Sequence, residues 1–253
     1  MAHCSTPAIV LRRQSYGDFD VILTALTRQY GKQTLIAKAA KKSTKRFAGI
    51  LEPFAWLQIV FRSGARGMPV LEEASLVRPF ANIRSDIVKT AYASYWAELV
   101  AMWLEEGQVR TEIYELLAFS LETLSDAQMA PALLSVLFQM RFVGHEGLQP
   151  VLQHCTRCRA DVNSLTQKQF CIDLKQGGVA CRACLPQAEG HLHLSKGTLK
   201  QLQWVADGAL SKAQRVRFGP TALDEATRFL EAFVPYHIGR MPKSLRFLQQ
   251  IRG

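Results

Sequence analysis

The sequence predicts an α+β multidomain protein: an N-terminal five-stranded β-barrel followed by an α-helical domain with an inserted Cys4 segment. Short alternating segments fill the first 80 residues, whereas apolar residues recur at helical spacing from residue 85 onward. Two Cys-x-x-Cys pairs, at 155–158 and 181–184, interrupt the helical pattern. The predicted domains are therefore residues 1–80 and 81–253, with residues 151–190 as a zinc-binding insertion.

The N-terminal barrel is predicted from short strand-like segments that are separated by turn residues. In the clearest of them, Leu57, Ile59 and Phe61 alternate with residues of the opposite face. Closure into a barrel removes exposed strand edges, and the OB-fold is the common five-stranded solution that also binds nucleic acid. The sequence therefore predicts an OB-fold whose strands cover residues 8–13, 21–27, 33–37, 54–61 and 70–76.

The helical domain is predicted from apolar periodicity and from residues that favour helix starts. Ser85 is the expected N-cap of the first long helix, with Asp86 behind it. Pro131 suits the first turn of a later helix, and Ser195 is an expected N-cap after the cysteine segment. The other predicted helices cover residues 111–124, 223–233 and 244–251.

The two cysteine pairs have the spacing of a tetrahedral zinc site. The 22 residues between them exceed the usual interval by about two, which an extended hairpin would absorb. Disulfides suit secreted chains, and a redox pair would be a single Cys-x-x-Cys near a βαβ pattern. His191 and His193 are alternative ligands, but four thiolates fill the shell and leave no catalytic position. We therefore predict one structural zinc ion bound by Cys155, Cys158, Cys181 and Cys184.

The net charge of +10 is distributed unevenly along the chain. Residues 84–150 carry nine acidic and four basic side chains, a local charge of −5, so the remaining residues carry +15. Residues 21–51 contain seven basic side chains and no acidic one. This asymmetry is typical of a surface that binds a polyanion beside a neutral or acidic scaffold.

A basic run at residues 38–49 lies between two predicted strands, so its side chains are expected on a loop. Lysine and arginine there can contact successive phosphates, and Phe47 and Tyr16 are candidates for stacking on bases. Core packing is nevertheless the role that we favour for both rings. No base-reading motif is evident, which favours sequence-independent binding.

Several stretches resemble the RecO family of bacterial recombination mediators. The resemblance is carried by Ala8–Asp20, Leu26–Lys32, Lys38–Gly49 and Leu51–Phe54, by the cysteine quartet, and by the basic ending Arg240–Arg246. It implies a non-enzymatic DNA repair protein of the cytoplasm, associated with the nucleoid. Such a protein binds single- and double-stranded DNA, anneals complementary strands, and works with RecR to load RecA on DNA coated by single-strand binding protein.

The resemblance also implies which residues contact DNA. By motif match these are Arg12, Arg13, Lys38, Lys41, Lys42, Lys45 and Arg46, with Arg240, Lys243 and Arg246 in the C-terminal basic motif.

Two other classes of function are alternatives to a DNA repair protein. A basic barrel protein that is stabilised by a structural zinc ion also fits an RNA-binding or ribosome-associated factor. A metal-dependent nuclease would need clustered carboxylates, whereas Asp18 and Asp20 alone cannot hold two metal ions. The sequence also contains no apolar run long enough to span a membrane, and its cysteine spacing fits a reducing cytosol.

Overall fold

The N-terminal strands form a closed barrel. The computed structural model describes residues 2–43, 45–63, 67–185, 192–207 and 215–252. The barrel strands are β1 (Ala2–Tyr16), β2 (Asp20–Thr27), β3 (Gly31–Ala37), β4 (Trp56–Ser63) and β5 (Val70–Arg78). They close in the order β1-β2-β3-β5-β4, with β3 and β5 parallel and the other pairs antiparallel. The predicted α+β fold with an N-terminal five-stranded barrel is confirmed.

Strand β1 is much longer than the predicted segment 8–13. Its first half pairs with β4 and its second half with β2, so one strand serves both sides of the barrel. A register shift between Val10 and Arg12 bends it where the partners change. The bulge explains why the sequence alternation ends early, because one extra residue inverts the face of those that follow.

The edge of β3 is covered by the segment that follows the first long helix. Glu106 bridges Lys32, and Gly107 N donates to Lys32 O over 2.8 Å. Gly31 approaches this segment so closely that a Cβ would lie 2.1 Å from Gln108 O, and its φ is +67°. Only glycine fits this position without moving the covering segment.

The described helices confirm the predicted α-helical region. They are α1 (Ala81–Arg84), α2 (Ile87–Trp103), α3 (Thr111–Ser125), α4 (Pro131–His145), α5 (Lys196–Ala206), α6 (Pro220–Ile238) and α7 (Lys243–Arg252). Ser195 caps α5 as predicted, by accepting from Thr198 N. The prediction for Ser85 is wrong by one residue, because Asp86 accepts from the first turn of α2 while Ser85 ends α1. Across the described residues, no helix is both long and apolar enough to cross a membrane.

The cysteine segment contains a small antiparallel sheet. Its strands are β6 (Gln169–Asp173), β7 (Gly178–Ala180) and β8 (His193–Ser195), with β6 in the centre. Strands β6 and β7 form the extended hairpin predicted between the two cysteine pairs.

The chain divides into two compact units. One comprises Met1–Asp126 with Pro242–Gly253, and the other comprises Ala127–Met241. The first contains the barrel, α1–α3 and α7, and the second contains α4–α6 and the cysteine segment. Compactness thus groups the chain differently from the predicted domain boundary at residue 80, which stays a prediction.

Helix α7 is attached to α2 by a carboxylate at its N-terminus. Glu98 accepts hydrogen bonds from Lys243 N over 3.1 Å, from Ser244 N over 2.8 Å, and from the Ser244 hydroxyl. An anionic acceptor satisfies free N–H groups and complements the positive end of the helix. Leu245 and Leu248 of α7 are fully buried.

We expect Glu98→Ala to lower the free energy of unfolding by about 1–2 kcal/mol, because N–H groups lose a charged acceptor. Glu98→Gln should cost less, since one acceptor oxygen remains. Urea unfolding of the full chain measures both, with Glu73→Ala as the control at an exposed carboxylate of β5. Equal stabilities of Glu98→Ala and the parent chain would contradict this role.

Candidate metal centre and nucleic-acid interface

The first cysteine pair forms a tight turn. Arg159 N donates to Cys155 O over 3.0 Å, and Cys155 N donates to Ala160 O over 2.9 Å. Arg159 has a φ of 64°, which lets the chain reverse directly after Cys158. The turn therefore places the side chains of Cys155 and Cys158 beside each other.

The hairpin brings the second pair to the first. Thr156 N donates to Val179 O over 2.8 Å, which sets the first turn against β7 just before Cys181. The backbones of Gly178 and Val151 also lie close together. A Cβ on Gly178 would lie 2.3 Å from Val151 O, so this position requires glycine. In the second turn, Cys184 N donates to Cys181 O over 3.1 Å.

Arg157 joins both turns to the hairpin. Its guanidinium donates to Asp173 Oδ2 from Nε and from the second terminal nitrogen, each over 2.9 Å. It also donates to Cys184 O over 3.3 Å. The Asp173 side chain is only 7% exposed, so this bidentate contact satisfies a buried carboxylate while fixing the second turn.

The four sulfur atoms of Cys155, Cys158, Cys181 and Cys184 lie within 4.8 Å of one another. Cys158 Sγ and Cys181 Sγ are 3.7 Å apart. Four thiolates around one tetrahedral ion at ~2.3 Å lie about 3.8 Å apart, so the sulfur positions fit a single metal ion. The structure thus brings together all four predicted ligands, and they can hold a metal ion.

The backbone around the cluster favours a thiolate at one position. Burial raises the pKa of the Cys155 thiol, but N–H groups of Cys158, Cys181 and Arg157 outweigh it and lower that pKa to about 6. Hydrogen bonding to Cys158 and Cys181 raises the pKa of Cys184 to about 12. The thiols alone therefore concentrate negative charge on Cys155, whereas a dication stabilises thiolates at every ligand.

The other candidate ligands lie outside the cluster. His193 is a half-buried residue of β8, paired with Cys171, and His154 contacts Arg159 over 3.0 Å. Cys171 is buried in β6, as expected of a cysteine that behaves as a small apolar residue. His191 lies outside the described residues.

The basic run forms an exposed loop between β3 and β4. A short 3-10 turn at Ala40–Lys42 begins it, and Ser43 Oγ accepts from Arg46 N and Phe47 N over 3.0 Å each. Five predicted contact residues have exposed side chains on this loop, which we call the basic loop: Lys38, Lys41, Lys42, Lys45 and Arg46.

The positive charge of the basic loop is not neutralised by carboxylates. Among ion pairs between described residues, none joins a lysine or arginine of this loop to an acidic side chain. In contrast, Arg28 pairs with Glu115 over 2.9 Å, and Lys32 Nζ donates to Ala101 O. The structure therefore binds these two cations to the scaffold and leaves the loop cations facing solvent.

Arg12 and Arg13 lie on opposite faces of β1. Arg13 pairs in register with Leu23, a residue of the barrel core, and its Nε lies 3.9 Å from Glu52 Oε1. Arg12 is exposed, and it pairs in register with Thr24, whose side chain faces outward. The side chains of Arg12 and Arg13 therefore belong to different surfaces of β1, and that of Arg13 lies near the carboxylate of Glu52.

The C-terminal basic residues fall in different units. Lys243 and Arg246 are exposed on α7, three residues apart and hence on neighbouring positions of one helix face. Arg240 follows α6 in the second unit and borders a shallow apolar groove with Tyr236 and Met241.

The aromatic candidates behave differently. Phe47 is 1% exposed and belongs to the barrel core, so the favoured core-packing role is confirmed for this ring. Tyr16 is 54% exposed at the end of β1, so core packing is wrong for that ring. Phe19 was not singled out by the sequence patterns. Its side chain is 45% exposed and lies beneath Lys42, whose Nζ is 3.4 Å from the ring centroid. The sequence sign of its exposure was its position in a turn that contains no other aromatic residue.

The fold and these sites define an OB-barrel protein that carries an exposed basic loop and a four-cysteine metal-type cluster. Two family models match, Recombination protein O N terminal over residues 1–80 and Recombination protein O C terminal over residues 84–246. The chain belongs to the RecO family.

Curated relatives match along nearly the whole chain. The "DNA repair protein RecO" of Desulfosudis oleivorans is 41% identical, covering 98% of both chains. That of Desulfatibacillum aliphaticivorans is 42% identical, covering 100% of this chain and 98% of the relative. That of Anaeromyxobacter dehalogenans is 35% identical, covering 99% and 98%.

Proposed function

We propose that this protein is a DNA-binding recombination mediator in DNA repair, which anneals complementary single strands without catalysing a chemical reaction. The observation that carries the proposal is the basic loop, a set of exposed cations on an OB barrel with no carboxylate partner among the described residues. Its membership of the RecO family supports the same conclusion.

The basic loop suits a sequence-independent contact with phosphates. Its cations lie close together within residues 38–46 of one loop, and Lys41 and Arg46 are oriented by contacts to Gly17 O and Lys38 O. Exposed cations that replace counterions on the backbone bind every sequence about equally. Annealing requires this kind of contact, because two strands must come together and still search for the correct register.

The DNA surface on the first unit is proposed to comprise the basic loop and Arg13, which lines a small cavity with Ala40 and Gly49 of the same run. Arg12, on the opposite face of β1, is proposed as a separate contact. Lys243 and Arg246 on α7 are proposed as further contacts, and Arg240 as a contact of the second unit. We propose residues 1–80 as the OB-fold nucleic-acid-binding domain and residues 81–253 as the helical domain, with residues 151–190 as the zinc-binding insertion.

We propose that the four-cysteine cluster holds one zinc ion with a structural role. Four thiolates would complete its coordination, so the ion would cross-link the two turns and supply no open position for chemistry. Arg157 and the hairpin already orient the ligands, and the metal would fix residues that carry little apolar core of their own.

Membership of the RecO family supports a proposal about the partners. We propose that the protein works with RecR and helps load RecA onto DNA coated by single-strand binding protein, in the cytoplasm near the nucleoid. The acidic stretch 84–150, with its charge of −5, suits protein contacts better than DNA contacts.

Annealing of complementary oligonucleotides coated by the cognate single-strand binding protein tests the function. We expect the annealing rate to rise with this protein, to fall steeply with added salt, and to be unchanged by ATP, because binding energy alone drives the reaction. Stopped-flow fluorescence of a donor and acceptor pair on the two strands measures the rate.

A rate that needs ATP, or that stays constant at high salt, would contradict this mechanism. Preferential binding of structured RNA in competition with single-stranded and duplex DNA would favour an RNA-binding factor instead. Metal-dependent cleavage of either strand would indicate an enzyme.

A further inference from the structure

The β1–β2 turn presents an aromatic ring beside the basic loop. Phe19 occupies this turn and is 45% exposed, and Tyr16 precedes the turn with 54% exposed. Single exposed apolar side chains are common on protein surfaces, so the exposure of Phe19 gains its meaning from the charged groups and contacts around it. Phe19 contributes little to the barrel core, so its side chain is available for contacts with a ligand.

Several contacts hold the turn against the loop. Lys41 N donates to Phe19 O over 3.0 Å, and Lys41 Nζ donates to Gly17 O over 2.8 Å. From the other side, Asp20 Oδ1 accepts from Ala39 N over 2.8 Å. These bonds fix the ring of Phe19 relative to the basic loop before any ligand arrives, which lowers the entropic cost of binding.

The Lys42 ammonium completes the arrangement. Its Nζ lies 3.4 Å from the centroid of the Phe19 ring, a cation–π contact that holds the charge at a defined place next to the aromatic surface. A nucleotide of a single strand offers a flat base and a phosphate close together. Phe19 and Lys42 likewise place a flat ring and a cation close together.

We propose that Phe19 and Lys42 form a subsite specific for single strands, in which one unpaired nucleobase stacks on the face of the Phe19 ring opposite the one that Lys42 Nζ covers, while Lys42 contacts an adjacent phosphate. The proposal rests on the proposed DNA binding and adds to it a preference that the basic loop alone cannot give. Phosphates are present in both strand forms, whereas the faces of bases are accessible only when the strand is unpaired.

The test compares Phe19→Ala with the parent chain on three labelled ligands: a single strand, its duplex, and a strand of equal length with abasic sites. Fluorescence anisotropy should show about a 5- to 150-fold loss of affinity for the single strand, the effect of removing one base–aromatic stack. Affinity for the duplex and for the abasic strand should stay within about twofold, because they offer phosphates without accessible bases.

Two control variants separate stacking from structural effects. Phe19→Tyr keeps the ring and should retain the single-strand affinity. Trp204→Ala removes an aromatic residue that is 48% exposed on α5 and should leave all three affinities unchanged.

Each outcome decides the proposal. An equal loss on single strand and duplex would mean that Phe19 only positions the basic loop, and unchanged binding of Phe19→Ala would mean that no base stacks there. Either result overturns the subsite but leaves the proposed function standing. A parent chain that binds none of the three ligands would overturn both.

Discussion

A chain carrying Cys155→Ser and Cys181→Ser is expected to purify without metal and with residues 151–185 disordered. Each substitution removes the buried cysteine of one turn, and a serine hydroxyl is a poor zinc ligand. Structural zinc contributes on the order of 10 kcal/mol to the folding of small zinc-binding peptides. The hairpin and Arg157 alone cannot compensate for such a loss. The parent chain, purified without chelator, should contain one zinc ion per chain by elemental analysis.

The matched control is Cys171→Ala, which removes a buried cysteine of β6 that lies outside the cluster. It should retain one zinc ion. Limited proteolysis should then cut the double variant within residues 151–185 while sparing the parent chain and the control. Full zinc retention in the double variant would reassign the ligands. A cluster that contains iron would absorb visible light and would correct the identity of the metal, because four thiolates also accept iron.

The features predicted correctly from the sequence depend on local patterns. The two cysteine turns and the hairpin between them follow from residue spacing, and Ser195 caps α5 because its hydroxyl reaches its own first turn. Asp86 shows the limit of such patterns. Ser85 and Asp86 are both good caps, and the choice depends on where α1 ends. Ser85 N donates to Ala81 O over 3.0 Å, so Ser85 closes α1 and Asp86 is left to cap α2.

The features missed by the sequence depend on contacts between distant residues. Strand β1 changes partner at a bulge, which a local alternation pattern cannot reveal. Phe47 and Phe19 are both aromatic residues near basic ones. Ser43 directs the chain so that Phe47 enters the barrel, whereas Phe19 stays at a turn. Likewise, Lys32 and Lys42 look alike in the sequence. Only the structure shows that the Lys32 ammonium donates to Ala101 O of α2, whereas Lys42 stays an exposed cation.

Replacing Lys41, Lys42, Lys45 and Arg46 by Ala is expected to weaken DNA binding about equally for all sequences. Each lost phosphate contact should flatten the slope of log K against log salt on duplex DNA by about 0.9, so the quadruple variant should flatten it by up to about 4. Binding measured by anisotropy over a series of salt concentrations gives this slope. The change should exceed that of any other surface variant, because these cations lack carboxylate partners among the described residues.

The variant should still fold, since the contacts that it removes are exposed and Ser43 and Phe47 keep the loop attached to the barrel. A second quadruple variant, with Lys168, Lys175, Lys200 and Arg217 replaced by Ala, removes the same charge from exposed positions of the other compact unit. It should keep the slope of the parent chain. Equal flattening in both variants would mean that net charge, not the basic loop, governs binding. An unchanged slope in the loop variant alone would move the DNA surface to the other cations that the family motif assigns to DNA, first of all Arg240, Lys243 and Arg246.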